Sequence, residues 1–229
     1  MHWFYRKIWL PLYGQWILRY LRHDRHYTYA GIQVHVPTGV FHPGVFFSTN
    51  LFIDFLGNTN WHEKTVLDVG TGSGILAIFT AANGANATAV DINPLAVAAC
   101  RNNAEANHCL VTALQSDLFH ALPADVSFDY LLINPPYFAA APKDDAAKAF
   151  FAGANLEYFH KLFGQMHKVI HPETKVWMIL GDGCDLRTIY QIALTHGFSH
   201  QVLLEKSKWG RSLVIVAFDA KNTWPTTFG

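Results

Sequence analysis

The stretch Thr65-Val66-Leu67-Asp68-Val69-Gly70-Thr71-Gly72-Ser73-Gly74-Ile75-Leu76-Ala77 decides the fold. Residues 65–69 read as a short buried strand, and the chain from Ile75 reads as an Ala/Ile/Leu-rich helix. Between them, glycines at 70, 72 and 74 permit positive φ and let a ligand come close to the backbone. The N–H groups that open a helix favour a carboxylate or a phosphate. A dinucleotide-binding turn needs the spacing G-x-G-x-x-G. Here the third glycine falls at 74 and position 75 is Ile, so that spacing fails and another ligand class is indicated.

Working outward, residues 87–90 read as the next strand, ending in Asp91. An acid at a strand end accepts hydrogen bonds from ribose hydroxyls. Asn93 then suits a helix N-cap and Pro94 the first helical position, ahead of a helix over 95–104. A third apolar stretch, 110–114, leads to Gln115-Ser116-Asp117-Leu118-Phe119. A fourth, 128–133, reads as a buried parallel strand and runs into Asn134-Pro135-Pro136-Tyr137. Two consecutive prolines forbid helix and remove two backbone donors, so the chain leaves the strand extended. Carbonyl oxygens and the Asn134 amide are then presented beside an aromatic ring. That suits a planar NH2 group, which gives both N–H bonds to acceptors while its face stacks. Downstream, the pattern predicts a helix over 155–170, a strand over 175–180, a turn at 181–183 and a helix over 185–196. Two final strands, near 201–205 and 212–218, are joined by a Trp209-Gly210 turn. Alternation of this kind implies an α/β fold with a doubly wound, mostly parallel sheet, whose ligands bind at strand C-terminal ends.

The spacing Asp-x-Gly-x-Gly-x-Gly at 68–74 resembles motif I of class I S-adenosylmethionine (SAM) dependent methyltransferases. Asn134-Pro135-Pro136-Tyr137 resembles motif IV of those acting on planar amino groups: exocyclic amines of adenine, cytosine or guanine, and the glutamine side-chain amide. Residues 39–51, with Gly39-Val40-Phe41 and then Phe47-Ser48-Thr49, resemble the lead-in segment of the "methyltransferase small" group, which is close to the HemK-like glutamine methyltransferases. The resemblance covers roughly residues 36–218. It implies a Rossmann-like sheet with an antiparallel edge strand, and SAM as cofactor. The cofactor residues it implies are Asp68, Gly70, Thr71, Gly72, Gly74, Asp91, Ile92, Asp117, Leu118 and Asn134, with Phe47 and Thr49 covering the methionine end. Asp117 would accept from the adenine amine, flanked by apolar neighbours. Asn134, Pro135 and Tyr137 would be catalytic.

The implied acceptor is a planar amino or amide nitrogen. A glutamine side-chain amide in a protein, or a related small-molecule group, leads. An exocyclic amine of adenine or guanine in RNA or DNA is the alternative, and a non-catalytic SAM-binding module the third reading. Tyr137 leans toward adenine or glutamine enzymes, since the guanine enzymes usually carry Phe there. Residues 152–156 are similar to a Gly-rich segment of the glutamine enzymes. Two departures separate the chain from bacterial HemK proteins. The acidic and threonine residues that usually follow the lead-in proline are absent after Pro43, and the N-terminal segment is short for a release-factor-binding domain.

With 229 residues, 51% of them apolar and 15% charged, the chain can bury a substantial core and is not expected to be disordered. Its formal net charge is zero, which leaves no global electrostatic footprint for nucleic acid. Cys100, Cys109 and Cys184 form no C-x-x-C pair, which suggests a reducing, cytoplasmic compartment. Thirteen histidines include the pairs His23/His26, His167/His171 and His196/His200, none beside a metal-type cluster, so no metal is expected. Residues 2–22 mix aromatics with Arg6, Lys7, Arg19 and Arg22, and read neither as a signal peptide nor as a membrane span. Residues 1–60 are taken as an N-terminal arm and lead-in segment, and 61–229 as the catalytic domain. Within the arm, 30–36 alternates like a strand and Ser48 or Thr49 suits a helix cap. Residues 139–148 read as a mobile loop.

Overall fold

A computed structural model describes residues 22–45, 47–137, 152–181, 183–208 and 211–221. The basic N-terminal arm before residue 22, the loop at 139–148 and the Trp209-Gly210 turn lie outside the described residues. Two strands, β1 (Arg25–Tyr29) and β2 (Ile32–Val36), form an antiparallel hairpin. After it come α1 (Phe47–Leu56), β3 (Thr65–Val69), α2 (Ile75–Ala82), β4 (Asn86–Asp91), α3 (Pro94–Ala106), β5 (Val111–Gln115) and β6 (Phe128–Ile133). The chain continues through α4 (Glu157–Met166), β7 (Ile170–Gly181), α5 (Leu186–Thr195), β8 (Phe198–Lys208) and β9 (Arg211–Ala220).

The seven later strands form one sheet in the order β5-β4-β3-β6-β7-β9-β8. The first five are parallel; β9 runs antiparallel between β7 and β8. This is the doubly wound, mostly parallel sheet that the alternation implied, with the antiparallel edge that the resemblance implied. One face is covered by α4 and α5, whose Phe159, Leu162, Phe163, Ile189 and Ile192 join the sheet in one core. The other is covered by α1 and α2 with the hairpin, through Phe52, Leu56, Ile78, Ile32 and Val34. That second core is continuous across residue 60, since β2 and Trp61 belong to it together.

Strand succession runs outward from β3 to β5 and then returns to β6 on the other side of β3. This reversal is the topological switch point, where such sheets open a crevice at their C-terminal ends. Register brings the decisive residues to that rim. Val69 pairs with Val90 and with Ile133, and Asp91 pairs with Gln115. Gly70, Asp91, Ser116 and Asn134 therefore emerge side by side. At the opposite end, Asp129 Oδ2 accepts from Thr65 N–H at 2.8 Å and from Thr65 Oγ1 at 3.0 Å. Asp129 N–H also donates to Thr65 Oγ1 at 2.9 Å, fastening β3 to β6.

Four local expectations are corrected. Ala30 and Gly31 are the hairpin turn and not strand, with φ of 49° and 81°. Positive φ at both positions is what a two-residue hairpin with the right-handed strand twist requires. The helix expected over 155–170 ends at Met166, and Ile170 already pairs with Phe128. Leu110 is 93% exposed and precedes β5. Helix α1 opens at Phe47, so Ser48 and Thr49 are buried inside it and cap nothing. The helix expected near Asn93 does begin as read: Asn93 accepts from Leu95 N–H and Pro94 is the first helical residue.

Candidate methyl-donor and acceptor cleft

The crevice above β3 and β6 is a cleft of about 530 Å³. Its floor is the glycine turn. Gly70 and Thr71 both give their N–H groups to the Val90 carbonyl, at 2.8 and 3.1 Å. Gly72 N–H donates to Asp91 Oδ2 at 2.9 Å, and Asn93 N–H donates to Asp91 Oδ1 at 2.9 Å. Asp91 is thereby aimed from the end of β4 into the cleft. Burial raises its pKa, while the Asn93 and Gly72 N–H groups pull it back. Gly70, at φ 74°, would carry a Cβ into open space, so the absent side chain is room above the turn.

Two residues read from the motif do not line the cleft. Asp68 is 1% exposed, and its Oδ2 accepts from Thr71 Oγ1 at 2.6 Å and from Ala77 N–H at 3.3 Å. It braces the turn against the first turn of α2. Burial pushes its pKa up to about 7, against the two hydrogen bonds that favour the carboxylate. Gly74 serves packing instead: a Cβ there would lie 2.7 Å from Cys100 Sγ and 3.0 Å from Cys100 Cα. The glycine lets α2 start against α3. The donors left for a ligand are also not those the glycines suggest. Ser73, Ile75 and Leu76 line the cleft, and their N–H groups have no acceptor among the described residues.

At the far end of β5, Asp117 and Leu118 both line the cleft. Leu118 adopts φ 52°, a left-handed conformation unusual for a residue with a branched side chain. The Asp117 carboxylate forms an ion pair with Lys161 of α4, both side chains about half exposed. Ile92, 37% exposed, flanks the same space. The lead-in segment closes over the turn. Phe41 Cβ lies 3.8 Å from where a Gly72 Cβ would be, and Gly39 accepts from Asn93 Nδ2 at 3.0 Å. Thr49 lines the cleft but Phe47 packs against the core instead. Successive helical positions turn by about 100°, so residues two apart on α1 face nearly opposite ways.

The end of the cleft at Asn134 is built from three elements. Asn134 follows β6; its Nδ2 donates to Thr49 Oγ1 of α1 at 3.3 Å. Tyr137 OH donates to Asn134 Oδ1 at 3.2 Å. The Tyr137 ring lies against Gly181 at the end of β7, where a Cβ would come within 3.0 Å of its Cε2. Asn134, Pro135, Pro136 and Tyr137 all line the cleft.

With this geometry in hand, comparison with known proteins is decisive for the family. Residues 31–199 match the family described as Methyltransferase small domain. The chain belongs to that methyltransferase family. It is similar to the tRNA1(Val) (adenine(37)-N6)-methyltransferase of Shewanella loihica, 32% identical over 126 residues, covering 51% of this chain and 52% of that protein. It is also similar to the release factor glutamine methyltransferase of Rhodopirellula baltica, 43% identical over 88 residues, covering 36% of this chain and 29% of that protein. The matches span about half the length, or less, of these relatives. Among solved structures, the T. thermophilus 16S rRNA N2 G1207 methyltransferase in complex with AdoMet and guanosine has a TM-score of 0.63. It is 21% identical, with 87% of this chain and 50% of that chain covered, so the likeness is one of fold.

As a member of the methyltransferase small domain family, the chain owes part of its cleft to residues that motif reading left out. Gly39, Val40, Phe41 and Pro43 line it from the lead-in segment, and Glu157, Tyr158 and Lys161 from α4. The only sequence signal for the latter was the Gly-rich stretch at 152–156. Among the described residues no helix is long and apolar enough to cross a membrane, and no group of three or more His, Cys, Asp or Glu could hold a metal.

Proposed function

We propose that this chain is a SAM-dependent N-methyltransferase acting on a planar amide or amine nitrogen. The observation that carries it is the shared cleft: Asp91 and the glycine turn at one end, Asn134 and Tyr137 at the other. The donor end suits SAM. An acceptor-only carboxylate at the β4 end takes ribose hydroxyl protons, free N–H groups of Ser73, Ile75 and Leu76 meet a carboxylate, and Ile92 and Leu118 flank a purine. Asp117 accepts from the purine amine while retaining Lys161. When bound, SAM supplies an electrophilic methyl group on a sulfonium.

The chain's own residues handle the acceptor. A conjugated nitrogen is a poor nucleophile because its lone pair is delocalised. Asn134 Oδ1 has a second lone pair beside the one used by Tyr137, and with the Pro135 carbonyl it accepts the two N–H bonds. Both acceptors strengthen as the nitrogen becomes tetrahedral and positive, so they favour the transition state over the ground state. The Tyr137 ring offers a face for the acceptor plane. Holding the reacting atoms in line contributes the rest.

The acceptor we favour is a glutamine side-chain amide or a related small-molecule group, supported by zero net charge and by Tyr137. The adenine amine of an RNA is the second reading, supported by the 32% identical relative named for adenine-N6 methylation. Methyl-tritiated SAM with purified protein and substrate-deficient extract tests both. Label lost to protease and recovered as methylglutamine bears out the first; label released by nuclease bears out the second. Binding of SAM without transfer to any fraction would sink the catalytic reading.

A further inference from the structure

Helix α4 lines the cleft through Glu157, Tyr158 and Lys161, and the hydroxyl of its half-buried Tyr158 has no assigned task. The Tyr158 ring packs edge-on against Phe159, centroids 5.3 Å apart, at the margin of the core beneath α4. Its backbone is fixed as well: Tyr158 N–H donates to the Ala152 carbonyl at 3.0 Å, and Phe159 N–H to that of Leu156 at 2.9 Å. Leu156, at φ 58°, holds the strained turn from which the helix starts. A ring so anchored has few places to move. Yet Tyr158 lines the cleft, and its hydroxyl has no hydrogen-bond partner among the described residues. Burial, then the charges of Asp91 and Asp68, raise the phenol pKa, which keeps it a neutral donor, and Tyr158 and Asp91 line the same cleft.

Donors and acceptors at that point do not balance without it. Asp91 offers only acceptor atoms. A diol that gives its protons to Asp91 keeps lone pairs that need a donor, and a phenol O–H lining the same cleft with no partner of its own can supply it. We propose that Tyr158 is a cofactor-binding residue whose hydroxyl donates to a ribose oxygen of the methyl donor, opposite Asp91. This rests on the reading of the cleft as a SAM site and deepens it by naming the partner of the sugar.

Calorimetric titration with S-adenosylhomocysteine and its 2′-deoxy and 3′-deoxy analogues tests it, on the full chain and on Tyr158→Phe. The phenylalanine keeps the ring, so an unchanged melting curve is expected. S-adenosylhomocysteine should bind about 3–10-fold more weakly to the variant, the size of one net hydrogen bond. For whichever deoxy analogue lacks the accepting oxygen, wild type and variant should bind alike. Unchanged affinity for S-adenosylhomocysteine would overturn the proposal. Equal losses for all three ligands would overturn it too, by assigning Tyr158 to packing alone. Failure of the wild-type protein to bind S-adenosylhomocysteine would strike the underlying SAM reading, a result distinct from both.

Discussion

The two ends of the cleft are built by different means. At the glycine turn, short bonds to carboxylates close on themselves: the Thr71 hydroxyl to Asp68 at 2.6 Å, and the Gly72 and Asn93 N–H groups to Asp91 at 2.9 Å. All lie within one β-α-β unit and need no ligand to hold their shape. At Asn134 the bonds are longer, 3.2 Å from Tyr137 three residues on and 3.3 Å to Thr49 of α1, and the second joins side chains 85 residues apart. A site held by local backbone geometry is specified by a short motif. A site held by side chains from distant segments can be retuned one residue at a time, which fits one family serving several acceptors.

The contrast is open to direct attack. Asn134→Ala should give the largest effect: transfer falls by roughly 10²-fold, as for loss of one transition-state contact, with SAM affinity nearly unchanged. Equal loss of SAM binding would erase the division between the two ends. Gly74→Ala should act the other way, on folding. A Cβ 2.7 Å from Cys100 Sγ, at φ 87°, combines overpacking with a left-handed penalty, about 2–4 kcal/mol of stability by thermal or urea melting. An unchanged melt would mean that α2 and α3 separate freely.

Asp68 sharpens the comparison through pH. Its folded pKa, about 7, lies above the unfolded carboxylate value, so the folded state holds the extra proton between about pH 4 and 7. Its contribution to stability is therefore full below about pH 4 and declines as pH rises through 7. In Asp68→Asn the amide oxygen can keep both bonds from Thr71 and Ala77, and this decline should vanish from melting curves taken between pH 5 and 8. A slope identical to wild type would place the titration elsewhere. Thr49→Val should be the mildest, a few-fold drop in turnover from about 1 kcal/mol of lost hydrogen bonding to Asn134, with SAM affinity held. A drop as large as that of Asn134→Ala would show the acceptor end to be less adjustable than its bond lengths suggest.

The same contrast explains what the sequence disclosed. Asn93-Pro94 could be read directly because the cap acts within a few residues of itself, and the glycine turn and Asp91 because each stands at the end of a legible strand. A doubly wound, mostly parallel sheet followed from alternation, though its strand order did not. Asp68 and Gly74 were legible as motif members but not as structural ones, since Ala77 meets Asp68 only when α2 folds back from β3, and Cys100 meets Gly74 only when α2 and α3 pack. The α4 wall was invisible for the same reason. Tyr158 and Lys161 read as ordinary helical residues until the helix comes to line the cleft, about 90 residues on from the glycine turn. The first hairpin strand was missed because Tyr27 and Tyr29 are only half-buried, which leaves a faint alternation.

The fastening of β3 to β6 through Thr65 and Asp129 has a mechanical side. Two central strands riveted at their lower ends act like the closed end of a spring clip. Their pairing runs up to Val69 and Ile133, and only beyond it do the glycine turn and Asn134 depart on separate paths. Any small splaying as a ligand enters or leaves would then be felt as a change in the gap between donor and acceptor, while the aromatic packing of Trp61, Tyr130 and Trp177 below stays undisturbed.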